Sequence, residues 1–136
     1  MIAITADPID VAEALKYIES DQAGAIDLFL GVVRDNTQER SVNRLEYEAY
    51  ESMAVSEMKK IVDEAGVKWE LLGWAVSHRV GTLVPGDVAV VVAVSTKHRK
   101  ASFEACQFVI DKLKEHVPIF KKEVFEDGSE WISAKP

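Results

Sequence analysis

The chain has 136 residues, 48% of them hydrophobic, and a formal charge of −7. That length suits one domain with a real core rather than two. The negative charge argues against a general nucleic-acid or anionic-membrane binder, because such partners are held mainly by Lys and Arg on phosphates.

Residues 2 to 5 alternate as a short strand, and Asp7-Pro8 reads as a helix opening, with Asp as N-cap and Pro in the first turn. The helix is expected to reach about Ser20, with Val11, Ala14, Leu15 and Ile18 on one face. Gly24 to Arg34 is an apolar, β-branched strand, and Asp35 to Ser41 a polar loop. Val42 to Tyr50 alternates Leu45, Tyr47 and Ala49 with Arg44, Glu46 and Glu48, a strand with one wet face and thus suited to an antiparallel sheet. A second helix is predicted from about Ser52 to Ala65, with Met53, Met58, Ile61, Val62 and Ala65 buried and Gly66 as its stop. Strands follow at Trp69 to Val80 and Asp87 to Thr96, joined through the turn Val84-Pro-Gly-Asp87. The second is a nearly unbroken valine run, which places it in a sheet centre with both faces covered. The longest helix, Ala101 to His116, a lysine-bearing segment and a turn at Glu126-Asp-Gly-Ser129 complete the chain. The predicted class is a single α+β domain over residues 1–136, with an antiparallel or mixed sheet and three main helices.

One cysteine, Cys106, excludes an internal disulfide and leaves a four-ligand Cys/His metal site unsupported, so no cofactor is expected. Asp7, Asp10 and Glu13 interrupt the first residues, and the longest apolar run, Leu28 to Val33, is far below the roughly twenty residues of a membrane helix. A cytoplasmic location is therefore the expectation.

Charge is unevenly spread. Residues 97 to 122 carry seven Lys/Arg against three acids, a local +4 that leaves −11 elsewhere; a small anionic ligand fits this better than a long polyanion. In the last helix Phe103, Cys106, Ile110, Leu113 and Val117 recur at helical spacing, which puts Cys106 in the core. At about 100° per residue Lys114 falls roughly 60° from the centre of that stripe, at the margin of the apolar face. Such a lysine either snorkels to solvent or, held against an apolar wall, anchors an anion or carries a proton. Lys121, seven residues on and beyond Pro118, is the companion candidate. Lys97-His98-Arg99-Lys100 lies at a strand-to-helix turn, where free N–H groups and cations can together receive a phosphate. Arg34 ends a hydrophobic strand as either an anion clamp or a polar terminus, and His78-Arg79 is either a further clamp or a core-edge pair.

Together, Phe29-Leu-Gly-Val-Val-Arg-Asp35, Leu45-Glu-Tyr-Glu-Ala-Tyr50, His78-Arg-Val-Gly81, Pro85-Gly-Asp87, His98-Arg99, Ala101-Ser-Phe-Glu-Ala-Cys106 and Val117-Pro-Ile-Phe-Lys-Lys-Glu123 resemble the large, catalytic subunit of molybdopterin synthase. The resemblance covers residues 24 to 133. Phe120 departs from it, standing where that family commonly has Trp, and the loop 36–40 lacks a glycine often found there.

The resemblance implies an α/β-hammerhead fold and a homodimer of large subunits within a heterotetramer. A small ubiquitin-like sulfur-carrier subunit, ending in a Gly-Gly thiocarboxylate, is the implied partner, and cyclic pyranopterin monophosphate the implied substrate. Two sulfurs pass to that substrate to give the molybdopterin dithiolene. The implied substrate pocket comprises Val32, Val33, Arg34, His98, Arg99, Lys114, Lys121, Lys122 and Glu123, with Lys114 and Lys121 catalytic. A non-catalytic pterin- or phosphate-binding module of the same fold is the competing reading. An RNA-binding domain would need a basic, aromatic-studded sheet face, which the Glu46/Glu48 strand contradicts.

Overall fold

The structure, a computed structural model, describes residues 1–136. In chain order it contains β1 (Ile2–Thr5), α1 (Val11–Tyr17), β2 (Ala25–Val32), β3 (Asn36–Thr37), β4 (Arg40–Ala49), α2 (Glu51–Trp69), β5 (Gly73–Arg79), β6 (Gly81–Leu83), β7 (Val88–Thr96), α3 (Arg99–His116), β8 (Ile119–Phe125) and β9 (Glu130–Ser133). One sheet has the order β1-β5-β7-β2, with β1 and β5 parallel and the other pairs antiparallel. A second, antiparallel sheet has the order β3-β4-β8-β9, with β6 also pairing β4. The class is α+β with three helices, as the sequence pattern predicts.

β7 organises both layers. Side chains alternate across a strand, and here Val90, Val92 and Val94 join the main core with Ala54, Met58 and Ile61 of α2 and Ala105, Val109 and Leu113 of α3. Val91 and Ala93 point the other way, into a smaller cluster with Ala14 and Ile18 at α1 and Ala75 of β5. A strand covered on both faces has no wet position, which is why its sequence does not alternate. Each valine buried in this way stabilises the fold by about 1.5–3 kcal/mol before entropy is counted.

Cys106, Ile110, Leu113 and Val117 are buried as their spacing requires, but Phe103 is 60% exposed. At the start of α3 the buried line runs instead through Ser102 and Ala105, small side chains on a helix that packs against β2 and β7. Met53 is exposed for a similar reason, with the small Ala54 facing the core in its place.

Several boundaries differ from the sequence expectation. The N-cap of α1 is Asp10, not Asp7: its carboxylate accepts from the Glu13 amide at 3.0 Å, and the helix ends at Tyr17, not at Ser20. Gly66 does not stop α2, which continues to Trp69 and closes where Glu70 turns left-handed at φ 48°. β5 consequently starts at Gly73. There a Cβ would lie 2.7 Å from the Ile18 carbonyl oxygen, so the end of α1 can approach only a glycine. The expected loop 35–41 contains a hairpin, β3 to β4, turned by Gln38 and Glu39 at φ 51° and 66°. Two-residue hairpin turns favour this left-handed geometry, and its usual glycine is absent here.

Candidate active site

A cavity of about 150 Å³ lies between the two sheets, where β2, β4, β7, β8 and the end of α3 converge. Its floor is apolar, from Leu45 of β4 and Ala89 and Val90 of β7. Val32, Val33 and Arg34 form one rim. They are held there because the Val33 amide donates to the Asp87 carbonyl and the Gly86 amide to the Val33 carbonyl, both at 2.9 Å.

The opposite wall carries the charged groups. β8 puts Lys121 and Glu123 on one face, two residues apart, with Lys121 Nζ 3.9 Å from Glu123 Oε1. The same carboxylate, only 7% exposed, accepts from the Thr37 hydroxyl at 3.2 Å. Lys114 enters from the last turn of α3, and its ammonium donates to the main-chain oxygen of Pro136 at 3.3 Å. Burial lowers the pKa of Lys114 from the usual lysine value, and the positive charge of Lys121 lowers it further. The residue keeps an exposed flank, as a snorkelling lysine does, yet lines the cavity; both sequence readings describe part of it.

Six sequence-predicted residues thus meet in one place: Val32, Val33, Arg34, Lys114, Lys121 and Glu123. His98, Arg99 and Lys122 lie elsewhere. His98 and Arg99 are exposed at the start of α3. At 1.5 Å per residue, that is about 22 Å along the helix axis from Lys114. Lys122 follows Lys121 in a strand and so points to the opposite face, where it pairs with Glu46 at 3.2 Å and Glu130 at 3.4 Å. Hydrogen bonding to Glu46 is the main reason its pKa is raised.

Three polar lining residues lie outside the predicted pocket: Thr37, Tyr47 and His78. Tyr47 is registered opposite Lys121, which places it on the inner face of the second sheet. Burial, then the Glu123 charge, push its hydroxyl up to about 12, so it stays a neutral donor. His78 is 1% exposed and its ring meets the Tyr47 ring edge-on, centroids 4.9 Å apart. Burial drives its pKa down to about 4 against the opposing bond to the Arg79 carbonyl, and the Lys114 charge lowers it further. The signal for His78 was a polar residue at an apolar position of a strand; for Tyr47 only the strand register reveals the placement.

Cys106 is not part of this chemistry. Burial pushes its thiol up to about 12, with Asp27 adding to the effect, and no set of three His, Cys, Asp or Glu side chains is grouped to hold a metal ion. A thiol that stays protonated is a poor nucleophile.

These features define an α+β protein with a cation-rich cavity: Arg34, Lys114 and Lys121 face a single carboxylate, in a chain that is otherwise acidic. The family described as MoaE protein matches residues 4–116, and the chain belongs to it. It is 48% identical over 129 residues to the molybdopterin synthase catalytic subunit of Bacillus subtilis, covering 95% of this chain and 82% of that one. It is 42% identical over 135 residues to the human protein of the same name, covering 99% and 72%. The crystal structure of molybdopterin synthase from Staphylococcus aureus superposes with a TM-score of 0.91 at 37% identity, covering 96% of this chain and 94% of that one.

Proposed function

We propose that the chain is the catalytic subunit of a molybdopterin synthase and acts as a sulfurtransferase. It moves two sulfurs from the thiocarboxylated Gly-Gly terminus of a small ubiquitin-like carrier subunit to cyclic pyranopterin monophosphate. The observation that carries this reading is the meeting of Arg34, Lys114 and Lys121 in one cavity, from three separate elements. Both reactants are anions, and converging cations raise their local concentration and orient them. The sole thiol is buried and protonated, so sulfur arrives from outside, which a carrier thiocarboxylate accomplishes without a local persulfide.

In this scheme Lys114 receives the thiocarboxylate and stabilises charge as its sulfur attacks the pterin side chain. Its lowered pKa makes it easier to deprotonate than an exposed lysine. Lys121 stabilises the developing oxyanion or passes a proton, with Glu123 setting its charge state and Thr37 holding that carboxylate in place. Arg34, with His98 and Arg99, anchors the substrate phosphate and pterin.

His98 and Arg99 reach a cavity if the chain forms a two-fold dimer. The support is the open outer edge of β2, which pairs only with β7 and exposes Ile26, Leu30 and Val32. β2 begins beside Thr96, close to His98, and ends at the rim of the cavity. A second copy laid antiparallel along that edge brings its own His98–Arg99 corner toward Arg34. The decisive experiment is mass spectrometry of the pterin after mixing this chain with thiocarboxylated carrier and the cyclic precursor. Two sulfurs gained support the reading, and an unmodified pterin alongside an active control enzyme overturns it.

A further inference from the structure

Two motifs have no role in the scheme above: Arg79, which ends β5, and Pro85-Gly-Asp87, which leads into β7. The Asp87 amide donates to the Val84 carbonyl at 3.0 Å, closing a four-residue turn. Pro in its second place and Gly86 at φ 94° in its third suit the type II form. The Asp87 carboxylate closes the same turn a second time, because its Oδ2 accepts from the Val84 amide at 2.9 Å. That oxygen also stands 3.5 Å from a terminal nitrogen of Arg79, whose Nε donates to the Ala6 carbonyl at 3.4 Å. Only 18% of the Arg79 side chain is exposed, so salt screens this pair less than one on the open surface.

The end of β2 rests on this braced turn. The β2–β7 register is regular as far as Gly31 opposite Val90, and then slips to put Val32 opposite Val88. An irregularity of this kind bends a strand and re-aims the side chains next to it. Past the slip, Val33 is gripped from both sides by the turn: its amide donates to the Asp87 carbonyl and its carbonyl accepts from the Gly86 amide, each at 2.9 Å. Val33 is 5% exposed, whereas Arg34, the next residue, is exposed and lines the cavity. We infer that Asp87 is a positioning residue for Arg34: paired with Arg79, its carboxylate stiffens the turn that grips Val33 and so fixes where the Arg34 guanidinium stands toward a bound phosphate. Asp87 itself does not line the cavity, and its influence runs through the main chain.

The inference rests on the reading of Arg34 as phosphate anchor, but its first test needs no turnover. Amide hydrogen exchange of the full chain is expected to show Val33 and Gly86 exchanging at least about 10-fold faster in Asp87→Ala, while amides in the middle of β7 keep their rates. Unchanged rates at Val33 and Gly86, or a rise of the same size throughout β7, overturn the inference. The second test is a cycle of variants read in KM and kcat. Asp87→Ala is expected to raise KM for cyclic pyranopterin monophosphate about 10-fold with kcat little changed, the mark of a weakened binding contact to a charged group. In an Arg34→Ala background the same substitution is expected to add nothing, because the carboxylate acts through the guanidinium that it places. Effects that multiply would mean that Asp87 only supports the fold, and would sink the idea. Asp87→Asn keeps an acceptor for the Val84 amide and is expected to recover part of both losses; no recovery counts against the brace. Should the unsubstituted chain transfer no sulfur while the exchange difference is present, the proposed reaction fails and the hold of Asp87 on the rim stands.

Discussion

The two ends of α3 both carry basic side chains, and they differ in what surrounds them. At the start, His98 and Arg99 are exposed and His98 makes no side-chain capping bond. At the finish, Lys114 meets Lys121, Glu123, Tyr47 and His78, side chains delivered by three strands of two sheets. Local sequence makes the two ends look alike; only convergence turns one of them into a place where proton affinity is altered. A cation acquires chemistry when packing strips its water and neighbours fix its direction.

The comparison breaks most sharply at the finish of the helix. Lys114→Ala and Lys121→Ala are each expected to lower product formation by at least about 10²-fold, the usual scale of acid-base contributions, with thermal unfolding close to that of the unsubstituted chain. Near-normal turnover in both would remove the distinction between the two ends. A mixing experiment sharpens it. If the start of α3 serves the partner's cavity, Arg99→Ala and Lys121→Ala chains, each impaired alone, regain activity when unfolded and refolded together. Random pairing gives half mixed dimers with one intact cavity each, roughly a quarter of full activity; no recovery means that Arg99 works in its own chain or in neither.

A separate effect concerns stability. The folded-state pKa of His78 is depressed from 6.5 to about 4, so between those values the unfolded chain binds the extra proton and the folded chain does not. The stabilisation this gives is fully present above pH 6.5, declines as pH falls, and is gone below about 4. It amounts to roughly 3 kcal/mol. Urea unfolding at a series of pH values checks this, and the pH-dependent part is expected to vanish in His78→Gln.

Much of this could be read from the residues. The valine run announced a strand covered on both faces, and the 3,4 spacing in the last helix put Cys106 in the core and Lys114 at its margin. The misses have physical causes. β3 and β6 are two and three residues long, too short for alternation to register. Asp10 displaced Asp7 as N-cap because capping depends on which carboxylate reaches a free amide, not on a neighbouring Pro. Trp69 stayed helical because the left-handed turn at Glu70 ended the helix where no glycine advertised it. In the site, the resemblance implied Lys121, Lys122 and Glu123 together, but strand alternation faces Lys121 and Glu123 inward and turns Lys122 outward. Tyr47 becomes visible only through strand pairing, which links residues far apart in the chain, whereas His78 shows in the sequence as a polar residue within an apolar strand.

β7 has one more consequence. It gives Ala89 and Val90 to the cavity floor and, on its other side, Val91 and Ala93 to the cluster beneath α1. The pocket therefore depends on the folded whole: α1, on the side of the sheet away from the lysines, packs on β7 and β5, and both strands also line the cavity, β5 through His78. Cooperativity of unfolding and integrity of the reaction chamber are, in this molecule, the same property.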